Sequence, residues 1–226
     1  MSVKQKIISI VNVFETGVPN GKYDAIALYY DGPNVDGKYI KQITYGRSQT
    51  TEFGGLKRLL ELYMQNQPAY NPLFDKYIQL VRKLPSLCTD TVFLDLLVQT
   101  ARIDPIMQST QDEFFDIYYY QPAEFFFMGN KFKYPLSMLV IYDSFIHSGG
   151  ILPLLRQRFP EKTPVNGGNE KVWIQQYTET RLDWLKTHVK PILRKTVYRP
   201  LCFLEQINNN NWNLSDKVNA NGFIII

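Results

Sequence analysis

The chain has 226 residues, with 25 Lys and Arg against 21 Asp and Glu, a formal net charge of +4, and 45% apolar residues. This composition supports a packed core and excludes a disordered chain. Two cysteines, Cys88 and Cys202, and two histidines, His147 and His188, make neither a disulfide framework nor a zinc site of the usual spacing, so no metal or other cofactor is expected. No apolar run reaches the roughly 18 residues needed to span a bilayer. Met1–Lys6 lacks the apolar core and cleavage site of a signal peptide, so the expectation is a protein made in the cytoplasm with no membrane span.

The length suits a single domain over 1–226, with one core divided into two lobes by a cleft. Val3, Ile7, Ile10, Val11 and Phe14 share one helical face, with Ser2 and Gln5 as a capping box and Gly17 as the stop. Ile26–Tyr30 and Ile43–Tyr45 read as two short strands joined by a turn rich in Gly, Pro, Asn and Asp. A second helix is expected from Thr51 through Tyr63, and further helices over 72–84, 90–102, 105–120, 135–147, 169–188 and 191–207. Asp104 and Pro105 cap the third of these, and Pro135 opens the fourth. Phe223–Ile226 reads as a buried strand or a packed end. The fold class is mainly α, with two helical lobes and a small antiparallel β-hairpin flanking the cleft.

No phosphate loop, nucleophile elbow or H-E-x-x-H helix is present, which leaves carboxylate chemistry. Glu15 ends the first helix beside Phe14, where the negative end of the helix dipole and an apolar neighbour both favour the protonated form. A general acid working near neutral pH needs that bias. The hairpin supplies a second carboxylate in Asp31, at the end of the first strand, or Asp36, in the turn; Thr44, on the returning strand, offers a hydroxyl to hold a water. Inverting glycoside hydrolysis uses such a set, with the two carboxyls roughly 6.5–9.5 Å apart. Asp36-Gly37 is also an ordinary hairpin-turn pair, which favours Asp31 as the base. Tyr29, Arg47 and Gln49, on or just beyond the strands, are candidate substrate contacts.

Asp143 falls on an apolar helical stripe with Leu136, Leu139, Val140 and His147, and Arg181 on one with Trp173, Tyr177 and Trp184. A buried lone carboxylate is costly, so Arg181, joined by Arg199, is its expected partner and the set is read as structural support. His147 and His188 read as packed or exposed residues. The aromatic runs Tyr118–Tyr120 and Phe125–Phe127 read mostly as core or lobe interface.

A glutamate ending the first helix, a hairpin carrying Asp and Thr, and a helical body together resemble the lysozyme superfamily, and most of the chain is similar to the family 46 chitosanases. Val13-Phe14-Glu15-Thr16 matches the segment holding the acid of those enzymes. Asp31-Gly32 or Asp36-Gly37 matches the Asp-Gly of their base, in a stretch that is longer here, and Thr44-Tyr45-Gly46 resembles their Thr-x-Gly. Ile141–His147, Thr163–Glu170, Thr180-Arg181 and Asn211–Leu214 match later family segments in order. The resemblance implies an endo-glycosidase acting on a β-1,4-linked amino-sugar polymer: chitosan, chitin or the peptidoglycan glycan strand. Release by lysis, or delivery by a phage-like or secretion apparatus, fits a wall hydrolase without a signal peptide. The alternative is a non-catalytic glycan-binding or structural module keeping the fold, for which the lengthened hairpin argues. Nucleic-acid binding has positive charge alone and no motif. That charge is local: residues 181–200 hold six basic side chains against Asp183 alone, whereas residues 15–36 hold four acidic side chains against Lys22. An acidic site suits cationic chitosan, and exposed basic residues suit an anionic wall.

Overall fold

The computed structural model describes residues 1–47 and 49–226. In chain order the elements are α1 (Val3–Thr16), β1 (Ile26–Tyr29), β2 (Asn34–Val35), β3 (Lys38–Tyr39), β4 (Gln42–Tyr45) and β5 (Thr50–Thr51). There follow α2 (Leu56–Asn66), α3 (Leu73–Ile78), α4 (Thr91–Ile103), α5 (Pro105–Phe115), α6 (Gln121–Gly129), α7 (Pro135–Ser148) and α8 (Pro153–Arg156). Last come α9 (Glu170–Lys186), α10 (Pro191–Arg194), α11 (Tyr198–Asn208), β6 (Val218–Ala220) and β7 (Phe223–Ile225). The chain forms two compact units, residues 1–19 with 117–226, and residues 20–116.

The first unit is built around α7. Every residue from Leu136 to Ser144 is buried, as expected of a helix packed on all sides. Helices α1, α6, α9 and α11 all pack against it. Helix α1 starts at Ser2, whose hydroxyl accepts from the Gln5 N–H, and stops at Gly17, which takes the left-handed conformation at φ 77°. Near its start the buried Lys6 ammonium donates to the Asp216 carbonyl at 2.8 Å, tying α1 to the segment before β6. Glu170, at the first position of α9, accepts from the Lys133 and Tyr134 N–H groups and from the Ser137 hydroxyl, so one carboxylate caps the start of α7.

The second unit carries the three-stranded antiparallel sheet β1-β4-β5, with Ala27 opposite Thr44 and Thr44 opposite Thr51. The long turn between β1 and β4 folds as a ribbon of its own, β2-β3, closed below by Gly32 N–H to Ile40 C=O and Ile40 N–H to Pro33 C=O. Behind the sheet lie α2 to α5, with Leu59, Tyr63, Phe74, Phe93, Leu97 and Phe114 buried. Gly46 ends β4 at φ 81°, and a Cβ there would sit 2.4 Å from Gln111 Oε1, so only glycine fits. The same Gln111 side chain accepts from Arg47 N–H and donates to the Tyr23 carbonyl.

Several expected boundaries move. Thr51 does not open a helix; it pairs with Thr44, and α2 begins at Leu56. The helix expected over 72–84 ends at Ile78, and the chain then turns through Arg82 at φ 72°. The helix expected over 105–120 ends at Phe115 and widens into a π turn over Asp116–Tyr120 before α6, which was not expected. Pro122 has no N–H and its ring crowds the carbonyl four residues back, which a regular helix does not accommodate. The helix expected over 191–207 breaks into α10 and α11, because Pro200 is accepted in the first turn of a new helix but not in the middle of a continuous one. The aromatic runs are only partly core: Tyr120 is buried, whereas Tyr118 is exposed and Phe125 is 82% exposed. Of the tail, Ile225 is buried in β7, and Phe223 and Ile224 are exposed.

One buried carboxylate was not anticipated. Glu52, fully buried after β5, accepts from the Ser86 hydroxyl at 2.6 Å, the Leu87 N–H at 2.8 Å and the Ile43 N–H at 3.3 Å. Glu52→Ala strands these donors and is expected to cost about 3 kcal/mol, read as a lower urea midpoint at unchanged m-value, with Glu52→Gln intermediate.

Candidate active site

In the first unit the side chains of α1, α7, α9 and α11 converge on a chain of ion pairs. Asp143, fully buried on α7, accepts at Oδ1 from Arg199 Nη1 at 2.6 Å and at Oδ2 from Arg181 Nη1 at 2.7 Å. Both arginines are buried as well. Arg199 Nη2 donates to Glu15 Oε1, so one guanidinium bridges the two carboxylates. Arg181 Nη1 also reaches Ser144 Oγ at 3.3 Å; that hydroxyl accepts from Tyr177 and donates to the Val140 carbonyl. The Arg199 guanidinium lies over the Phe14 ring, 5.4 Å from its centroid, and the Tyr198 hydroxyl donates to the Phe14 carbonyl.

Glu15 is the outermost member of this chain, its side chain 12% exposed. Burial raises its pKa above the ordinary carboxylate value, and Arg199 beside it opposes but does not cancel the rise. Arg199 is held firmly protonated by Glu15 and Asp143. His147, one turn beyond Asp143 on α7, has a buried Nε2 without a hydrogen-bond partner among the described residues. Burial and the positive charge of Arg199 and Arg181 push its pKa well down, so the imidazole stays neutral beside the two cations.

In the second unit the hairpin residues separate into two groups. Asp31 lies at the foot of the β2-β3 ribbon, its Oδ1 accepting from Gln42 Nε2 at 3.0 Å; Gln42 Oε1 in turn accepts from the Phe53 N–H, which fixes the amide. Asp36 stands at the exposed tip of that ribbon at φ 50°, followed by Gly37 at φ 81°, the conformation of a two-residue hairpin turn. Thr44 Oγ1 is buried within 3.0 Å of both the Ala27 carbonyl and Gln49 Oε1. Its single proton serves one of them at a time, which leaves the oxygen able to accept. Tyr29 is half exposed at the end of β1, and Gln49 is turned towards Thr44 at φ 54°. Arg47, a candidate substrate contact, is buried, with Nε 2.8 Å from Asp112 and the guanidinium over the Phe115 ring. Its charge is committed inside the unit. Sequence reasoning missed Gln42, whose amide holds Asp31; a polar residue alternating with Ile43 on a strand was its only signal. Among the described residues no cluster of His, Cys, Asp and Glu could hold a metal ion, and no helix is long and apolar enough to cross a membrane.

A buried glutamate biased towards its protonated form is the kind of group that serves glycoside hydrolases as a general acid. Residues 9–216 match the model of glycosyl hydrolase family 46, and the chain belongs to that family. Solved structures agree on a mainly helical, chitosanase-like fold. A mutant chitosanase from Bacillus subtilis MY002 complexed with six GlcN is 23% identical, with a TM-score of 0.84 over 99% of this chain and 98% of that one. The Gynuella sunshinyii GH46 chitosanase in complex with chitotetraose is 19% identical, with a TM-score of 0.83 over 99% and 96%. Chitosanase OU01 co-crystallised with substrate is 19% identical, with a TM-score of 0.78 over 98% and 94%. No curated protein matches the chain in sequence.

Two outcomes are expected from these contacts. Asp143→Ala leaves Arg181 buried without its carboxylate and Arg199 with Glu15 alone, and should cost about 3–5 kcal/mol in chemical denaturation. A carboxyl whose pKa is raised by folding loses stability as pH climbs from its unfolded value of 4.5 through the raised one. Glu15→Gln removes that loss, so its melting temperature should exceed the parent's by more at pH 8 than at pH 4.

Proposed function

We propose that the chain is an endo-acting chitosanase that hydrolyses the β-1,4 linkage of chitosan with inversion. The observation that carries this reading is Glu15, a buried carboxyl with a raised pKa joined to a guanidinium that is always charged. Because Oε1 already accepts from Arg199, the transferable proton sits on Oε2. Glu15 donates it to the glycosidic oxygen as the bond to the anomeric carbon breaks, and Arg199 stabilises the carboxylate that forms. Asp31 acts as the base: it takes a proton from the water that attacks the opposite face of the sugar, with Thr44 accepting a hydrogen bond from that water. Support for Asp31 over Asp36 comes from its fixed carboxylate beside β4, against a turn-tip residue whose conformation hairpin geometry already explains. The GlcN oligomers and chitotetraose bound to the similar structures, and the acidic stretch 15–36, support chitosan rather than chitin or peptidoglycan as the polymer.

The test is reducing-end release from chitosan, chitin and purified peptidoglycan by the parent, Glu15→Gln, Asp31→Asn and Asp36→Asn. Glu15→Gln and Asp31→Asn should each lose about 10²–10⁴-fold on chitosan, the usual worth of a general acid or base, with Asp36→Asn within a factor of about three. Proton NMR of the first product should show the α-anomer. A folded Glu15→Gln protein with the parental rate would overturn the assignment of the acid. A parent that binds chitosan oligomers without releasing new ends would instead make the chain a glycan-binding module.

A further inference from the structure

In the second unit one neutral side chain, Gln42, connects the proposed base to the fixed backbone of the sheet. Gln42 opens β4 opposite Tyr29 and is 4% exposed. Glutamine is seldom buried to this degree unless its amide is paired. The two partners of this amide have opposite demands. An ionised Asp31 can only accept a hydrogen bond, and the Phe53 N–H can only donate one. Gln42 Nε2 therefore faces Asp31 Oδ1, at 3.0 Å, and Gln42 Oε1 faces the Phe53 N–H, at 3.2 Å. A flipped amide would lose both bonds, so the chemistry of the partners permits one orientation only.

The Phe53 end is itself anchored. Glu52, the residue before it, donates its N–H to the Ile43 carbonyl at 2.8 Å, and its buried carboxylate accepts from Ser86 and Leu87. A line of contacts thus runs from a buried anchor through Phe53 and Gln42 to Asp31. Past Asp31 the chain passes close to β4. A Cβ at Gly32 would stand 2.8 Å from the Ile40 carbonyl and 3.5 Å from Gln42 Cβ. The strand pairing fixes the direction. Residues two apart on a strand share a face, so Gln42 and Thr44 point to one side of the sheet. Ile43 and Tyr45, both fully buried, point to the other side, into the core. Gln42 thereby holds Asp31 on the face that carries the Thr44 hydroxyl.

We propose that Gln42 is a positioning residue for the hydrolysis, setting the Asp31 carboxylate beside the water that Thr44 holds. This deepens the reading above and rests on Asp31 as the base. Gln42 acts through Asp31 and carries no charge, and no bond to it forms or breaks in the reaction. Its contribution is placement, because a base must stand within hydrogen-bond reach of the proton it takes.

The experiment measures kcat and KM of the full chain on a GlcN hexamer for the parent, Gln42→Met, Gln42→Glu, Asp31→Asn and the Asp31→Asn/Gln42→Met double variant. Gln42→Met keeps the length of the side chain and removes both hydrogen bonds. Gln42→Glu keeps the acceptor for the Phe53 N–H and removes only the donor to Asp31, so it carries the test if Gln42→Met does not fold. Each single Gln42 variant should lower kcat about 10- to 100-fold, with the KM of Gln42→Met within a factor of about two of the parent's. In the Asp31→Asn background, Gln42→Met should change kcat by less than about threefold, since no base is left to place. A folded Gln42→Glu with parental kcat overturns the proposal. So does a loss that appears in KM alone, or one that persists in full on top of Asp31→Asn, as a general weakening of the sheet would give. If Asp31→Asn itself keeps the parental rate, the base assignment falls and this proposal falls with it. An inactive Asp31→Asn beside a fully active Gln42→Glu removes the positioning role alone.

Discussion

Asp143 is the constraint on which the first unit depends. A carboxylate in the middle of a helix buried on every side is tolerable only if both oxygens find cationic partners, and Arg181 and Arg199 take one each. Those partners arrive on different helices, so the ion pairs specify how α7, α9 and α11 meet. One carboxylate between two guanidiniums leaves an excess positive charge, and Glu15 at the end of α1 answers it. Glu15 is thus part of the same network that specifies the helix packing. Burial pushes Glu15 towards its protonated form, and the excess charge of the arginines keeps the rise in check. A carboxyl in that balance can both hold a proton and release it. His147 belongs to the same balance, because burial, and after it the two neighbouring cations, favour the neutral imidazole.

The hairpin unit solves a different problem. Its turn is long, and a long flexible loop would leave the register of β1 and β4 loosely defined. The extra residues fold instead as a separate ribbon, pinched off by the hydrogen bonds between Gly32, Pro33 and Ile40. Below the pinch the pairing of Ala27 with Thr44 is undisturbed, and Asp31 is held through Gln42 from the backbone of Phe53. The added length therefore ends at the ribbon tip, in Asp36 and Gly37, where the positive φ values have an ordinary turn explanation. Gly46 and Gln111 fix the other end of β4, since the amide oxygen occupies the place of a side chain.

Local rules carried much of the fold. Ser2, Gly17, Asp104-Pro105 and Pro135 act through their own turn of backbone, and the helices they bound lie within a residue or two of expectation at those ends. Two of the misses share a cause. Pro122 and Pro200 were read inside or beside helices whose apolar periodicity continues past them, and only the actual course of the chain shows where the helix yields. The stretch 79–84 has a helical pattern too, but the chain leaves the helix there for the segment that brings Ser86 and Leu87 to Glu52. Phe125 belongs to an aromatic run and is largely exposed, because a helix of nine residues with apolar groups on every side has only one face against the core.

For the site, the sequence by itself determined the chemical types and their local settings: a glutamate at a helix end after an apolar face, an aspartate at a strand end, a threonine on the returning strand, and charged residues on apolar stripes. Those features depend on neighbours within a few positions, which periodicity and capping reveal. The apolar stripes also pointed to Arg181 and Arg199 as partners of Asp143, and the tertiary structure decided the remaining partners. That Arg199 bridges Glu15 and Asp143, that Arg47 spends its charge on Asp112, and that Gln42 holds Asp31 are matters of proximity between residues 11 to 184 positions apart. The helix end and Phe14 indicated the direction in which the pKa of Glu15 moves, but the desolvation that drives it and the distant neighbours that oppose it or occupy a cation such as Arg47 belong to the packed unit.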